Sequence, residues 1–419
     1  MRGEMTHATL AIDGGEPAVS RRLPEVDAPE GRTLGDGERE AVLRVLDSGM
    51  LSGVFGTEVK AFQREAAAWI GLPHAVATSS GTAALHVALA ALGLEVADEV
   101  ITTPISDFGS VAPILAQNAV PVFADVDPHT GCLDPESVEA AIGPRTRAIL
   151  AVHLFGGAAA IARLREIADR HGLYLIEDCA QAWGTLVDDE GRRAGTVGHI
   201  GCFSLQQWKH ITTGDGGVAV TADDELAQRM RLFADKGWPR ETGHRAHVSY
   251  GLNYRMTELQ GAVARVQLTK VDAVVQRRRA AAQRLIDAVG PLNAATLPDA
   301  SNHSFWTFPI VLETTAEKRR AVVAALGAEG LSASAGYLER VLYANPALRD
   351  APVYGSSRFP LADVAGREDI EYPDGLAPVA EDLVARTLVN LGWNENFTDE
   401  DVEQIACAIR KVWSVLLPE

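Results

Sequence analysis

Apolar positions along the chain first recur with a helical period and then fall into short unbroken runs. Gly35–Gly49, GDGEREAVLRVLDSG, has Asp36 near its start, apolar pairs at Val42–Leu43 and Val45–Leu46, and a closing glycine, which predicts a capped helix. Glu58–Ile70 places Val59, Phe62, Ala66 and Trp69–Ile70 on one side and predicts a second helix with Trp69 in the core. Short apolar runs then predict strands at Ala75–Thr78, Glu99–Thr103, Pro121–Val126, Ala148–Leu154, Tyr174–Glu177, Gly201–Leu205 and Gly217–Thr221. Helical patterns separate most of them, at Gly81–Leu92, Val111–Gln117, Pro135–Ala141, Ala159–His171 and Asp224–Phe233. Strand–helix alternation of this kind predicts a mostly parallel sheet covered on both faces.

A long helical region follows the Gly251–Gln260 stretch and reaches about Val289; its Arg277–Arg279 cluster reads as a solvated face. The pattern changes near Pro291. Phe305–Leu312 predicts a strand, Glu317–Glu329 a helix and Asp399–Val412 a last helix. The expected organisation is therefore an irregular Gly/Pro-rich arm over residues 1–34, a large α/β domain over 35–289 and a smaller α+β domain over 290–419.

Composition narrows the class. The 419 residues suffice for two domains, and a net charge of −18 leaves no basic surplus for nucleic acid or an anionic membrane. Cys132, Cys179, Cys202 and Cys407 stand far apart with no C-x-x-C spacing, which points to reduced thiols rather than a disulfide frame or a zinc site. The first residues have no apolar signal-peptide core, and no apolar run is long enough to span a bilayer, so a cytoplasmic enzyme is expected.

One stretch, residues 199–221, HIGCFSLQQWKHITTGDGGVAVT, organises the chemistry. Two strand-like runs flank a polar segment with a single lysine, Lys209, ahead of a Thr-Gly-Asp-Gly-Gly turn. By itself this is compatible with an ordinary turn lysine. Upstream, Asp178 ends the very apolar run LYLIED, at the strand tip where open α/β sheets bind ligands; capping the next helix is its other reading. Further upstream, Ser80-Gly81-Thr82 opens the helix AALHVALAAL, and free amides, a hydroxyl and the positive dipole end suit a phosphate dianion there. A well-capped helix with no ligand would look the same.

Together SSGTAALHVAL, EDCAQAWG and the Ser204-x-x-x-x-Lys209 motif resemble the DegT/StrS family of sugar aminotransferases, which use pyridoxal phosphate. The resemblance runs from about Gly35 to the C-terminus. It implies the aspartate-aminotransferase-like (fold-type-I) architecture, with Lys209 as the amine that holds the cofactor's aldehyde and then moves protons. It implies Asp178 at the pyridine nitrogen, Ser204 as a second hydroxyl at the phosphate, Phe108 stacked on the ring and Gln181 near the phenolic oxygen. Asn253 matches a position that reaches the phosphate of the partner subunit, which implies a homodimer with a shared active site. Relatives usually have T-F or T-W where this chain has Asp107-Phe108, and many have Asn where it has His210. Dehydratases of the family replace the lysine by histidine; here the lysine is kept, as are Asp178 and the phosphate residues, which also disfavours a non-catalytic relative.

The substrate side rests on less. Gln206-Gln207 before the lysine and the N-terminal LAIDGGEPAV resemble the branch that aminates keto-cyclitols or keto-pseudosugars in aminoglycoside biosynthesis, from glutamine or glutamate. Amides pair with vicinal hydroxyls without requiring charge. A nucleotide-linked ketosugar is the alternative. Tyr337 and Tyr343 are candidates for the same pocket or for simple packing, and Arg255 for the donor carboxylate or for a structural salt bridge.

Overall fold

A computed structural model describes residues 9–243, 245–362, 364–366 and 368–418. Two helices, α1 (Asp36–Ser48) and α2 (Glu58–Ile70), precede the first strand, and each stops at a left-handed glycine, Gly49 and Gly71. Then come β1 (His74–Thr78), α3 (Gly81–Ala91), β2 (Glu99–Thr102), α4 (Ala112–Ala116), β3 (Val120–Phe123), α5 (Pro135–Ala140), β4 (Thr146–Val152), α6 (Ile161–His171) and β5 (Tyr174–Asp178). β6 (Ile200–Ser204), β7 (Gly217–Thr221) and α7 (Asp224–Ala234) complete the sheet layer.

The strand order is β1-β7-β6-β5-β4-β2-β3, with β7 antiparallel to both of its neighbours and the rest parallel. This is the mostly parallel seven-stranded sheet the alternating pattern predicts. Successive residues serve opposite faces: Leu150 and Val152 pack with α3 residues, whereas Ile149 and Ala151 pack with α6. Burial on both sides explains why these strands read as continuous apolar runs.

The helical region before residue 290 is two helices, α8 (Glu258–Leu268) and α9 (Val271–Val289), broken at Thr269–Lys270. The second sheet is antiparallel, in order β10 (Ala333–Ala335), β11 (Leu388–Gly392), β9 (Thr307–Leu312), β8 (Ala295–Thr296). It is backed by α10 (Ala316–Ala328) and by a last helix, Asp399–Leu416. Strict alternation in β9 sends Phe308, Ile310 and Leu312 into that core. The chain crosses between the cores more than once. Ala281, Ala282, Leu285 and Val289 of α9 belong to the smaller core, while Leu342, Tyr343, Leu361 and Tyr372 pack on the larger one. Tyr372 fixes this return by donating its hydroxyl to Pro121 O at 2.7 Å.

Two expectations need correction. Trp69 is half-buried: its indole N–H points to Asp272 and the Arg193 guanidinium lies 4.3 Å from its ring centre, so it caps the core edge. The Arg277–Arg279 cluster is not one solvated face. Arg277 is exposed, but Arg278 is fully buried, pairs with Glu395 at 2.7 Å and donates to the carbonyls of Phe305 and Trp393. Charge pattern alone cannot reveal a buried ion pair whose partner lies over a hundred residues on. The arm, from Thr9 onward, is anchored as well: Leu10 and Val19 are buried in the smaller core, and the Glu329 carboxylate accepts from the Ala11 and Ala18 amides, each at 2.9 Å. No described helix is long and apolar enough to cross a membrane.

Candidate active site

The lysine loop joins β6 to β7, whose ends pair as Ser204 with Gly217. Leu205 closes it, donating its amide to Gly216 O at 2.8 Å and accepting from Thr213 N at 2.9 Å. Thr212 adds a side-chain bond to Leu205 O, and Gly214 takes a φ of +83°, which its lack of a side chain permits. The Lys209 amide is held by Gln206 O at 2.9 Å. Its side chain is buried, with Nζ 4.3 Å from the centre of the Trp306 ring. Burial pushes the amine down to about 8, against the pull of Asp178 and Asp107.

Asp178 ends β5 between β4 and β6, and its side chain is buried. Ser110 Oγ donates to Oδ2 at 2.8 Å and Ala180 N to Oδ1 at 3.0 Å. Burial raises its carboxyl above the ordinary range, and those two donors and Lys209 oppose the rise. Glu177, on the opposite face, is saturated by His153 and by the amides of Gly195, Val197 and Gly198, a structural role.

Three segments converge beside this pair. Ser80 caps α3, accepting from Ala83 N at 3.0 Å. A Cβ placed on Gly81 would lie 2.7 Å from Ser204 Cβ, and one on Gly109 would lie 2.7 Å from Thr82 Oγ1. Residues 80–82, the 3-10 turn Phe108–Ser110 and Ser204 therefore form one cradle that larger side chains would fill. Phe108 is half-buried against the larger core. Gln181 is buried, its carbonyl oxygen accepting from Phe155 N at 2.7 Å and its amide nitrogen 3.4 Å from the Tyr337 hydroxyl. Phe155 holds a left-handed φ of +58° to present that amide, and its ring meets Tyr337 edge-on. Trp306 also packs edge-on against Tyr337 and donates its indole N–H to Trp208 O at 2.7 Å.

Several expected pocket residues are engaged elsewhere. Tyr343 is fully buried, with its hydroxyl between Glu381 and the Ala377 amide and its ring 5.4 Å from that of Phe123; the short turn Leu342–Ala344 carries it into the larger core. Arg255 pairs with Asp235, which also binds Arg240. Gln207 donates to Val26 O of the arm at 3.0 Å, and Gln206 accepts from Trp208 N at 2.9 Å, so both amides fix backbone around the lysine. Asn253 is exposed and bridged to Asp235. Sequence reasoning missed Ser110 and Trp306, which only the fold brings to Asp178 and Lys209.

A buried lysine with a lowered pKa, a buried carboxylate oriented by Ser110 and Ala180, and a glycine-lined helix start form a donor set that fits pyridoxal phosphate. The pattern of the DegT/DnrJ/EryC1/StrS aminotransferase family matches residues 32–410. The L-glutamine:2-deoxy-scyllo-inosose aminotransferase of Streptomyces kanamyceticus is 41% identical over 319 residues, covering 71% of this chain and 72% of the relative. The protein of the same name from Streptomyces fradiae is 37% identical and covers 96% of this chain and 97% of its own length. Among solved structures, DesI in the presence of its TDP-sugar product superposes with a TM-score of 0.79 at 30% identity, covering 96% of each chain. The chain belongs to the DegT/DnrJ/EryC1/StrS aminotransferase family and is a pyridoxal-phosphate-dependent transaminase.

Proposed function

We propose that the enzyme moves the amino group of L-glutamine, or of glutamate, onto a keto-cyclitol or keto-pseudosugar in aminoglycoside biosynthesis. The observation that carries this reading is the likeness to L-glutamine:2-deoxy-scyllo-inosose aminotransferases across nearly the whole chain. A nucleotide-linked ketosugar is the second reading, favoured by the likeness to DesI.

Bound pyridoxal phosphate supplies an electron sink that stabilises negative charge on the carbon losing its proton. In the proposed assignment, Lys209 would hold the aldehyde carbon, and its amine would serve as the base and acid that moves the proton. With its pKa near 8, about a tenth of the amine is neutral at pH 7, against less than about a thousandth for an ordinary lysine. Asp178 would hold the ring nitrogen and keep its proton there. A carboxylate raised by burial gains stability when a cation docks against it, while Ser110 and Ala180 keep it oriented. Ser80, Gly81, Thr82 and Ser204 would receive the phosphate, Phe108 would hold the ring and Gln181 would serve the phenolic oxygen. Tyr337 and Trp306 wall the side where the donor and acceptor enter in turn, and Gln206 remains a candidate for the acceptor's hydroxyls.

The proposed unit is a homodimer in which Asn253 reaches the partner subunit's phosphate. Exposed apolar side chains support it. Phe55 is 68% exposed and lines a cavity of about 660 Å³ with Trp238 and Arg255, beside the Asp235–Asn253 bridge. The test is a competition of ketones. Amination of 2-deoxy-scyllo-inosose from L-glutamine, with no inhibition by nucleotide diphosphates, supports the cyclitol reading. Tight competitive inhibition by a nucleotide diphosphate, with no turnover of any keto-cyclitol or pseudosugar, moves the enzyme to the nucleotide-sugar branch.

A further inference from the structure

We propose that Arg32, at the end of the N-terminal arm, is a positioning residue for the transamination, holding the backbone of Lys209 in register with the site. Its side chain is nearly buried. Nε donates to Val26 O at 2.9 Å and Nη1 to the carbonyl of Lys209 itself at 2.9 Å. One rigid guanidinium therefore ties the arm's turn to the catalytic peptide, a geometry the single point charge of a lysine cannot reproduce. The turn is tight: a Cβ on Gly31 would lie 1.8 Å from Glu25 O.

The arm is clasped from both sides. Gln207 donates to Val26 O, Asn394 to Gly31 O at 3.0 Å and Asn396 to Glu30 O at 2.9 Å. Between those two asparagines, Glu395 pairs with Arg278, and its charge opposes the burial that draws Arg32 down to about 10. The guanidinium thus stays charged at neutral pH. With its amide on Gln206 O and its carbonyl on Arg32, the lysine has both backbone polar groups fixed. An amine that must act at more than one atom swings from that root, so a displaced root misaligns every step, and a displacement of about 1 Å can cost about a hundredfold in rate.

The inference rests on the transaminase assignment and not on the acceptor, because the donor half-reaction is followed by cofactor absorbance without any ketone. With L-glutamine or L-glutamate, whichever converts the wild type, Arg32→Ala should slow the maximal rate by about a hundredfold while leaving half-saturation within about threefold. Added guanidinium at millimolar concentration should restore part of that rate in the alanine variant only. In the cofactor-free full-length chain, the amides of residues 208–211 should exchange with deuterium at least about tenfold faster in Arg32→Ala than in wild type. Arg32→Lys, which keeps a charge beside Glu395, should lose about tenfold, and it carries the test if the alanine variant does not fold. Asn396→Ala loosens the arm without touching the Lys209 carbonyl and should stay within about threefold of wild type. A maximal rate within threefold of wild type in Arg32→Lys, unchanged exchange at 208–211 in a slowed variant, or an equal loss in Asn396→Ala would each overturn the proposal.

Discussion

The Ser110 hydroxyl donates to the Asp178 carboxylate at 2.8 Å, linking the turn after β2 to the tip of β5 in a buried setting. Ser110 also meets Ser106 Oγ at 2.7 Å, so its hydroxyl is oriented before any ligand arrives. Hydrogen bonds to a buried charge contribute about 1.5–3 kcal/mol. Ser110→Ala should therefore lower kcat/KM by roughly tenfold to a hundredfold through Asp178, with the fold intact by circular dichroism. A value within about threefold of wild type would show that the carboxylate does not depend on this donor.

Asp178→Asn keeps the shape and removes the charge. If the carboxylate stabilises a protonated ring nitrogen, the variant should still bind some cofactor but lose at least about a hundredfold in kcat. A loss of less than about threefold, on the order of 0.65 kcal/mol, would reduce Asp178 to a backbone cap.

Lys209 gives a pH signature in the cofactor-free protein. Its pKa in the fold, about 8, lies below the ordinary 10.5, so the unfolded chain binds more protons between those values and stability rises with pH across that window. Below pH 8 the cost of burying the ammonium is fully present, and it fades as pH approaches 10.5. Replacing Lys209 by Met should therefore stabilise the cofactor-free protein at pH 7 by up to about 3 kcal/mol, with the gain vanishing near pH 10.5. Denaturant unfolding of both proteins across this range is the measurement, and a pH-independent difference would contradict the burial argument.

The proposed sharing of the site between two subunits has its own test. Asn253→Ala should weaken cofactor binding by about tenfold while sedimentation still reports a dimer, and the cofactor should raise the stability of the wild-type dimer. A fully active monomer would remove the shared site.

What the sequence revealed follows from the range of the interactions. Parallel strands buried on both faces leave unbroken apolar runs, and the lysine loop, the strand-tip carboxylate and the α3 cap are each local in sequence. Ser110 meets Asp178 across 68 positions, and Arg32 meets Lys209 across 177, distances no local pattern encodes. Arg278 was misread for the same reason, and the packing reading of Tyr343 could not be separated from the pocket reading. Their burial depends on Glu381 and Glu395, which the chain supplies much later. Gln206 and Gln207 precede the lysine and suit hydroxyl recognition, but backbone nearby already engages the Gln207 amide nitrogen and the Gln206 amide oxygen.

The most direct test follows nitrogen. Wild-type enzyme given L-[α-15N]glutamine and 2-deoxy-scyllo-inosose should yield the 15N-labelled aminocyclitol, and Lys209→Ala should yield none without added amine. Labelled product from the alanine variant would contradict the role of Lys209. Failure of the wild type to aminate any keto-cyclitol or pseudosugar, alongside amination of a nucleotide-linked ketosugar, would contradict the proposed acceptor.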